Sequence, residues 1–403
     1  MADREPAEQD DDDPATGLIP WTRGARPGRP SEGAWLVRNE AVEDAGIGVC
    51  IGLGVCVKDV IDVAGFATEA GSNGWWRLPT EDAPAVAALR AAGARILGKG
   101  HTVEFAYGIH GLNPHLPPCR NPWDPARLCG GSSSGPAAAV AAGEADIGLG
   151  TDTSGSLRVP AAFCGLYALR PTYGLVSTEG IVPLSPSLDV CGPLTRDPAT
   201  LARAMTALAG WPSVPSPASE PPARVGVVDG GGAERLVAAR LGKLGSDILA
   251  VELPDFAQAR DVHRVIQSAE AAAVHDTVLA DAAPYLSDEI RGRLQSGREI
   301  SADELAAARA AAEDYCAAVF AVLDDVDVVL VPVTAFGAPL RDTTEINGLA
   351  LREALMRYAG PLGMLGAPVL TVPAATRGWL PLGVQVLARP GADRELISLA
   401  ALL

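Results

Sequence analysis

Lysine is almost missing from this chain. Lysine and arginine together number 32, and only Lys58, Lys99 and Lys243 are lysines. Arginine keeps its proton in a protein, whereas burial brings a lysine toward neutrality. A lysine retained in such a background is a candidate for a task that needs a neutral amine. Cationic excess is missing too. The formal net charge is −17, so a global basic footprint for nucleic acid is excluded and no direct nucleic-acid partner is expected. No run of about 18 uninterrupted apolar residues occurs, so no membrane span is expected. No apolar core follows a basic start, so no secretory signal is expected either. The seven cysteines are odd in number and their spacings match no zinc pattern. Reduced thiols in a cytoplasm are the simplest account. Aromatics are scarce at 5%.

Glycine (44) and proline (33) are plentiful, and the apolar residues are mostly Ala, Val and Leu. That composition suits an α/β enzyme with many tight strand-to-helix turns. Residues 1–33, with the run Asp10 to Asp13, read as a largely disordered acidic and Pro-rich tail. Residues 34–403 read as a single domain. The stretch 51–59 reads as a buried strand ending at Lys58. A helix is expected over 82–95, a strand at Ile96 to Gly98, a small-residue helix over 136–143 and a strand over 145–150. Further strands are expected at 225–228, 326–332, 367–372 and 382–387, with a helical segment around 256–325. Strand and helix alternate. This predicts an α/β fold built on a large, mostly parallel sheet covered by helices on both faces.

Chemistry concentrates in two runs, Gly130-Gly131-Ser132-Ser133-Ser134-Gly135 and Gly150-Thr151-Asp152-Thr153-Ser154-Gly155-Ser156. Small hydroxyl residues among glycines place nucleophiles beside accessible main-chain N–H groups, which points to acyl transfer. A phosphate loop is disfavoured, because no lysine follows the glycines. Gly131 to Gly135 does match G-x-S-x-G with Ser133 as nucleophile. That elbow needs a preceding strand, and residues 113–125 carry five prolines. It also needs a histidine, and His263 and His275 lie in segments of helical, apolar periodicity. Cys129 abuts the run, with no histidine near it in sequence. A third reading pairs a serine with a neutral lysine through a second serine. Lys58 at a buried strand end supplies that base, unless it only pairs with the adjacent Asp59.

Longer stretches carry a resemblance. VKDVIDVAGFATEAGS around Lys58, GGSSSGPAAAVAAG, GLGTDTSGSLRVPAAFCGLYALRPTYG and SLDVCGPLTR resemble the amidase signature family. The resemblance runs through EFAYGIHGLNPH to LPLGVQVLARPGADREL and covers about residues 45–403. It implies a large mixed, twisted sheet and a Ser-Ser-Lys triad that hydrolyses a carboxamide through an acyl-enzyme, with no metal or cofactor required. Carried over by motif, Lys58 is the base, Ser132 (in a cis peptide) the relay and Ser156 the nucleophile. The backbone N–H groups of Thr153, Ser154, Gly155 and Ser156 would form the oxyanion hole. Asp152, Arg158 and Asp189 would brace the loop, and Ser133 would be a bystander.

The chain departs from the family pattern at Ser154, where glycine is more common, at Cys129 and at Pro136. The segment before Lys58 is also shorter than usual for the family. The resemblance implies a small-molecule amide as partner and leaves a homodimer open. It also leaves open an amidotransferase component that supplies ammonia, or a tailoring enzyme that forms or cleaves an amide on a specialised metabolite. Trp75, Trp76, Phe105, Tyr107 and His110 are candidates for a pocket lining and equally for core or rim.

Overall fold

The computed structural model describes residues 17–22, 25, 27, 29–39, 47–281 and 283–403. The acidic run of the expected tail lies outside the described residues. The strands in chain order are β1 (Leu18–Pro20), β2 (Trp35–Arg38), β3 (Gly54–Lys58), β4 (Arg95–Gly100) and β5 (Ile147–Asp152). Then come β6 (Tyr167–Arg170), β7 (Val190–Thr195), β8 (Arg224–Val227), β9 (Asp247–Ala250) and β10 (Val328–Pro332). The last are β11 (Glu345–Ile346), β12 (Leu349–Ala350), β13 (Val369–Arg377) and β14 (Leu380–Leu387). Twelve of them form one sheet in the order β2-β4-β3-β5-β7-β6-β13-β14-β10-β8-β9, with β1 on β13. β11 and β12 form a separate hairpin.

Parallel pairing occupies two blocks, β4-β3-β5 and β10-β8-β9. Antiparallel pairs through β7, β6, β13 and β14 join them. The parallel expectation therefore holds within the blocks, and the sheet as a whole is mixed. β13 and β14 are linked by a tight turn at Gly378, which forces an antiparallel hairpin. One expectation needs correction. Leu18 to Pro20 pairs with Arg377 to Ala375, and Leu18 is buried, so the sheet recruits chain from within 1–33. An apolar side chain that reaches the core outweighs the local Pro-rich, polar composition.

Helices α1 (Pro84–Ala91), α2 (Ser134–Ala141), α3 (Arg158–Cys164), α4 (Pro198–Leu208) and α5 (Ala233–Lys243) flank the sheet. The expected helical segment resolves into α6 (Phe256–Val274), α7 (Asp276–Asp281), α8 (Asp288–Arg298) and α9 (Ala302–Asp325). α10 (Leu351–Leu362) and α11 (Asp393–Ala400) complete the set. Side chains alternate across each strand, and this puts both sheet faces in core. Val55 and Val57 pack with residues of α1 and α4, while Cys56 between them packs with the alanines of α2. Leu330 faces the first layer, and Val329 and Val331 face α9.

Helix α2 (SGPAAAVA) is buried at every position. Its small side chains let it press against β3 and β5. A Cβ at Gly135 would collide with the backbone N of His101 and the carbonyl of Ala34. The glycine is required by that close approach.

Candidate active site

β3 ends at Lys58 and its parallel neighbour β5 ends at Asp152. Register Val57↔Leu149 brings both C-terminal ends to one edge of the sheet. In α/β sheets that edge opens into the crevice where ligands bind. The segment entering α2 crosses it, with the Gly131–Ser132 peptide bond cis.

Lys58 is fully buried, and its Nζ lies 2.7 Å from Ser132 Oγ and 2.6 Å from Thr151 Oγ1. It has no ion pair among the described residues. Asp59 pairs instead with Lys99, 3.0 Å away, so Lys58 is not the partner of its sequence neighbour. Burial pushes the Lys58 ammonium down to about 7, against the pull of the Asp152 and Asp189 carboxylates. An amine in this state exchanges a proton with a hydroxyl in contact with it.

Ser133 N–H donates to the Ser156 carbonyl, 3.3 Å away, so the two Gly-Ser runs meet. Ser156 and Ser154 line a narrow cavity with Ala106, Gly108, Ile109, Gln267, Arg352 and Met356. The Ser133 hydroxyl lies elsewhere. It is fully buried and donates to the Thr151 carbonyl at 3.3 Å, with no strand before it to form an elbow.

Asp152 is the hub of the loop. One oxygen accepts from Gly155 N at 2.8 Å and from Arg158 Nη2 at 2.8 Å; the other accepts from Leu157 N and Arg158 Nε. Arg170 Nη1 adds 3.2 Å to Asp152 Oδ1. Burial opposes the charge on Asp152, yet Arg158 and Arg170 hold its carboxyl well below the usual range. Arg158 also ties the loop to the Ala359 carbonyl and to Gln385, and Arg170 to the Leu188 and Gly363 carbonyls. Asp189 accepts from Thr153 Oγ1 at 2.5 Å and from the N–H groups of Leu184 and Ser185. Gly155 sits at φ +118, and a Cβ there would lie 2.6 Å from Ala359 Cβ. Of the four N–H groups expected to hold an oxyanion, that of Gly155 is committed to Asp152. Those of Thr153, Ser154 and Ser156 have no acceptor among the described residues.

A family model described as Amidase matches residues 37–397. The chain belongs to the amidase signature family. It is 36% identical to the 2-amino-5-chloromuconic acid deaminase of Comamonas testosteroni, over 88% of this chain and 81% of that one. It is 34% identical to a subunit of the glutamyl-tRNA(Gln) amidotransferase of Thermus thermophilus, over 92% of this chain and 89% of that protein. A crystal structure of an amidase superposes with a TM-score of 0.85 at 33% identity, covering 92% of this chain and 91% of the other. Membership makes the protein an enzyme that hydrolyses amide C–N bonds. No helix among the described residues is long and apolar enough to cross a membrane. No three His, Cys, Asp or Glu side chains among them come together as a metal site.

The aromatic candidates go to core and rim rather than to the cavity. Trp76 is 66% exposed, while Phe105 is buried against Trp75 and His275. Tyr107 is buried with its hydroxyl 3.1 Å from Ser268 Oγ. None of these residues, nor His110, lines the cavity beside Ser156. The wall comes from Gln267 on α6 and from Arg352 and Met356 on α10, more than a hundred residues downstream, where sequence carries no marker. Thr151 and Arg170 were also missed, although both stand inside the quoted motifs. Cys129 is buried beside Cys119, with Sγ atoms 3.7 Å apart, and burial raises its thiol pKa, so it is no nucleophile.

Proposed function

We propose that this amidase acts through Ser156, Ser132 and Lys58. Ser156 Oγ attacks the carboxamide carbon and passes its proton to Ser132, whose own proton moves to neutral Lys58. The oxyanion is held by main-chain N–H groups of the 153–156 loop other than that of Gly155. Protonated Lys58 then returns a proton through Ser132 to the leaving nitrogen. The C–N bond breaks, ammonia or an amine departs, and the acyl group stays on Ser156. Water enters and releases the carboxylate by the same relay. Asp152, Arg158 and Asp189 touch none of these atoms and hold the loop in register.

The observation that carries this reading is the 2.7 Å contact between a buried amine of lowered pKa and Ser132 Oγ, with no carboxylate partner for the amine. A panel of primary amides, aryl amides, ureas and glutamine tests the reading, with mass spectrometry for an acyl adduct. Turnover with an adduct on the 147–158 segment supports it. Turnover with no adduct in wild type, and none in a stopped reaction, overturns the covalent route.

A second reading rests on the relative from Thermus thermophilus, one component of an amidotransferase, matched over 92% of this chain. Under it, ammonia released from glutamine passes to a partner protein. Selective turnover of glutamine within the panel favours this reading.

A further inference from the structure

Arg352 stands in the wall of the Ser156 cavity and makes no salt bridge among the described residues. It stands in the first turn of α10 and lines the cavity with Ser154, Ser156, Gln267 and Met356. Its one hydrogen bond among the described residues runs from Nη2 to Gln267 Oε1, 3.2 Å away. Its Nε is buried with no acceptor, and it takes part in no salt bridge there. A neighbouring carboxylate, Glu289, is already engaged: it pairs with Arg293 and lies 3.6 Å from His110 Nε2. Arg293 and Arg264 add positive charge around Arg352, and Glu289 and Tyr107 offset part of it without pairing with the guanidinium.

A largely buried guanidinium with unused donors is costly unless something with negative charge meets it. A planar carboxylate fits such a fork through two parallel N–H···O bonds. The wall also shows how the cation is held. Gln267 accepts from Arg352 and donates Nε2 to Ser154 Oγ at 2.7 Å. Cation, amide and hydroxyl thus form one chain that ends two residues from Ser156. Ser154 is the residue that stands where glycine is usual in the resembled family.

We propose that Arg352 binds a carboxylate on the substrate, so that the preferred substrates are small amides bearing a second, anionic carboxyl group. The dicarboxylic monoamides malonamate, succinamate and glutaramate represent this class. This rests on the assignment of the Ser156 cavity as the amide site. Gln267 is a positioning residue that fixes the guanidinium.

Equilibrium binding tests the idea without requiring turnover. Malonamate, succinamate and glutaramate are titrated into Ser156→Ala, each beside its neutral diamide. The same titrations follow in Ser156→Ala with Arg352→Met or Arg352→Lys. The expected result is that at least one monoamide outbinds its diamide. Arg352→Met then weakens that monoamide on the order of thirtyfold and leaves the diamide unchanged. Arg352→Lys retains part of the preference. Added salt weakens monoamide binding and spares the diamide, a readout that needs no variant at Arg352. Equal affinity for monoamide and diamide, a preference that survives Arg352→Met in a folded variant, or no binding of any monoamide overturns the proposal. Hydrolysis is followed in parallel with Ser156 intact. Selective binding without hydrolysis leaves the anion site standing and counts against the catalytic reading alone.

Discussion

Ser133 N–H donates to the Ser156 carbonyl across 3.3 Å, and this bond joins two residues more than twenty positions apart in sequence. It also sorts the serines of the two Gly-Ser runs. Backbone of Ser133 supports the loop, while its hydroxyl is spent on the Thr151 carbonyl. Ser156→Ala is expected to lower amide turnover by on the order of a thousandfold or more. Ser133→Ala is expected to keep turnover within about tenfold and to cost about 1 kcal/mol of stability. Steady-state rates and denaturant melts of both variants check this. The opposite pattern returns the role to Ser133.

The pH dependence follows from Lys58. The relay needs the free amine, and the buried ammonium titrates at about 7. Activity is expected to fall as pH drops below that value, because the protonated amine accepts nothing from Ser132. The acidic limb of the kcat/KM profile reports it. Lys58→Arg keeps the charge but not the titration and is expected to be inactive. A flat profile through this range, or an active Lys58→Arg, removes Lys58 as base.

The same shift affects stability, with a sign that can be worked out. Lys58 titrates at about 7 in the fold, against an ordinary value of 10.5. Between these values the unfolded chain holds one more proton than the folded chain, so stability rises with pH across the window. Below it, the fold carries a buried ammonium at full cost. Lys58→Met is therefore expected to raise Tm relative to wild type near pH 6. The difference is expected to shrink as pH approaches 10. Paired melts at the two pH values check it.

Asp152 stands between Arg158 and Arg170 with no exposed surface on any of the three. Removing its charge leaves two buried guanidinium groups without their partner. Asp152→Asn is expected to cost about 3–5 kcal/mol, measured by urea unfolding. Activity is expected to fall as well, because the N–H groups of Gly155 and Leu157 lose a charged acceptor that shapes the loop. Unchanged stability in that variant contradicts the bracing role.

Thiol chemistry separates Cys129 from the active site. Among the seven cysteines only Cys316 is not buried. Alkylation of the native protein is expected to label Cys316 first and to leave activity intact. Peptide mapping against residual rate checks both. Inactivation that tracks labelling of Cys129 would restore it as a candidate nucleophile.

Much of this was written locally in the chain. The scarcity of lysine singled out Lys58, and an apolar run of residues buried on both faces placed it at a strand end. The two Gly-Ser runs announced acyl transfer, because only glycine and small hydroxyl residues tolerate such close backbone approach, as at Gly135 and Gly155. Their order along the chain carried the resemblance that divided Ser132, Ser133 and Ser156 among roles. What needed the tertiary structure were relations between distant segments. Whether Lys58 or Lys99 pairs with Asp59 depends on which strand end each reaches, and β4 delivers Lys99 to it. Strand direction at the sheet centre was set by hairpins and pairings that periodicity does not encode. The cavity wall was the least legible part. Gln267 and Arg352 come from helices α6 and α10, and nothing in the local sequence distinguishes this arginine from the others. Its meaning appears only when packing places it in the wall beside Ser156 with its Nε buried and no salt bridge among the described residues.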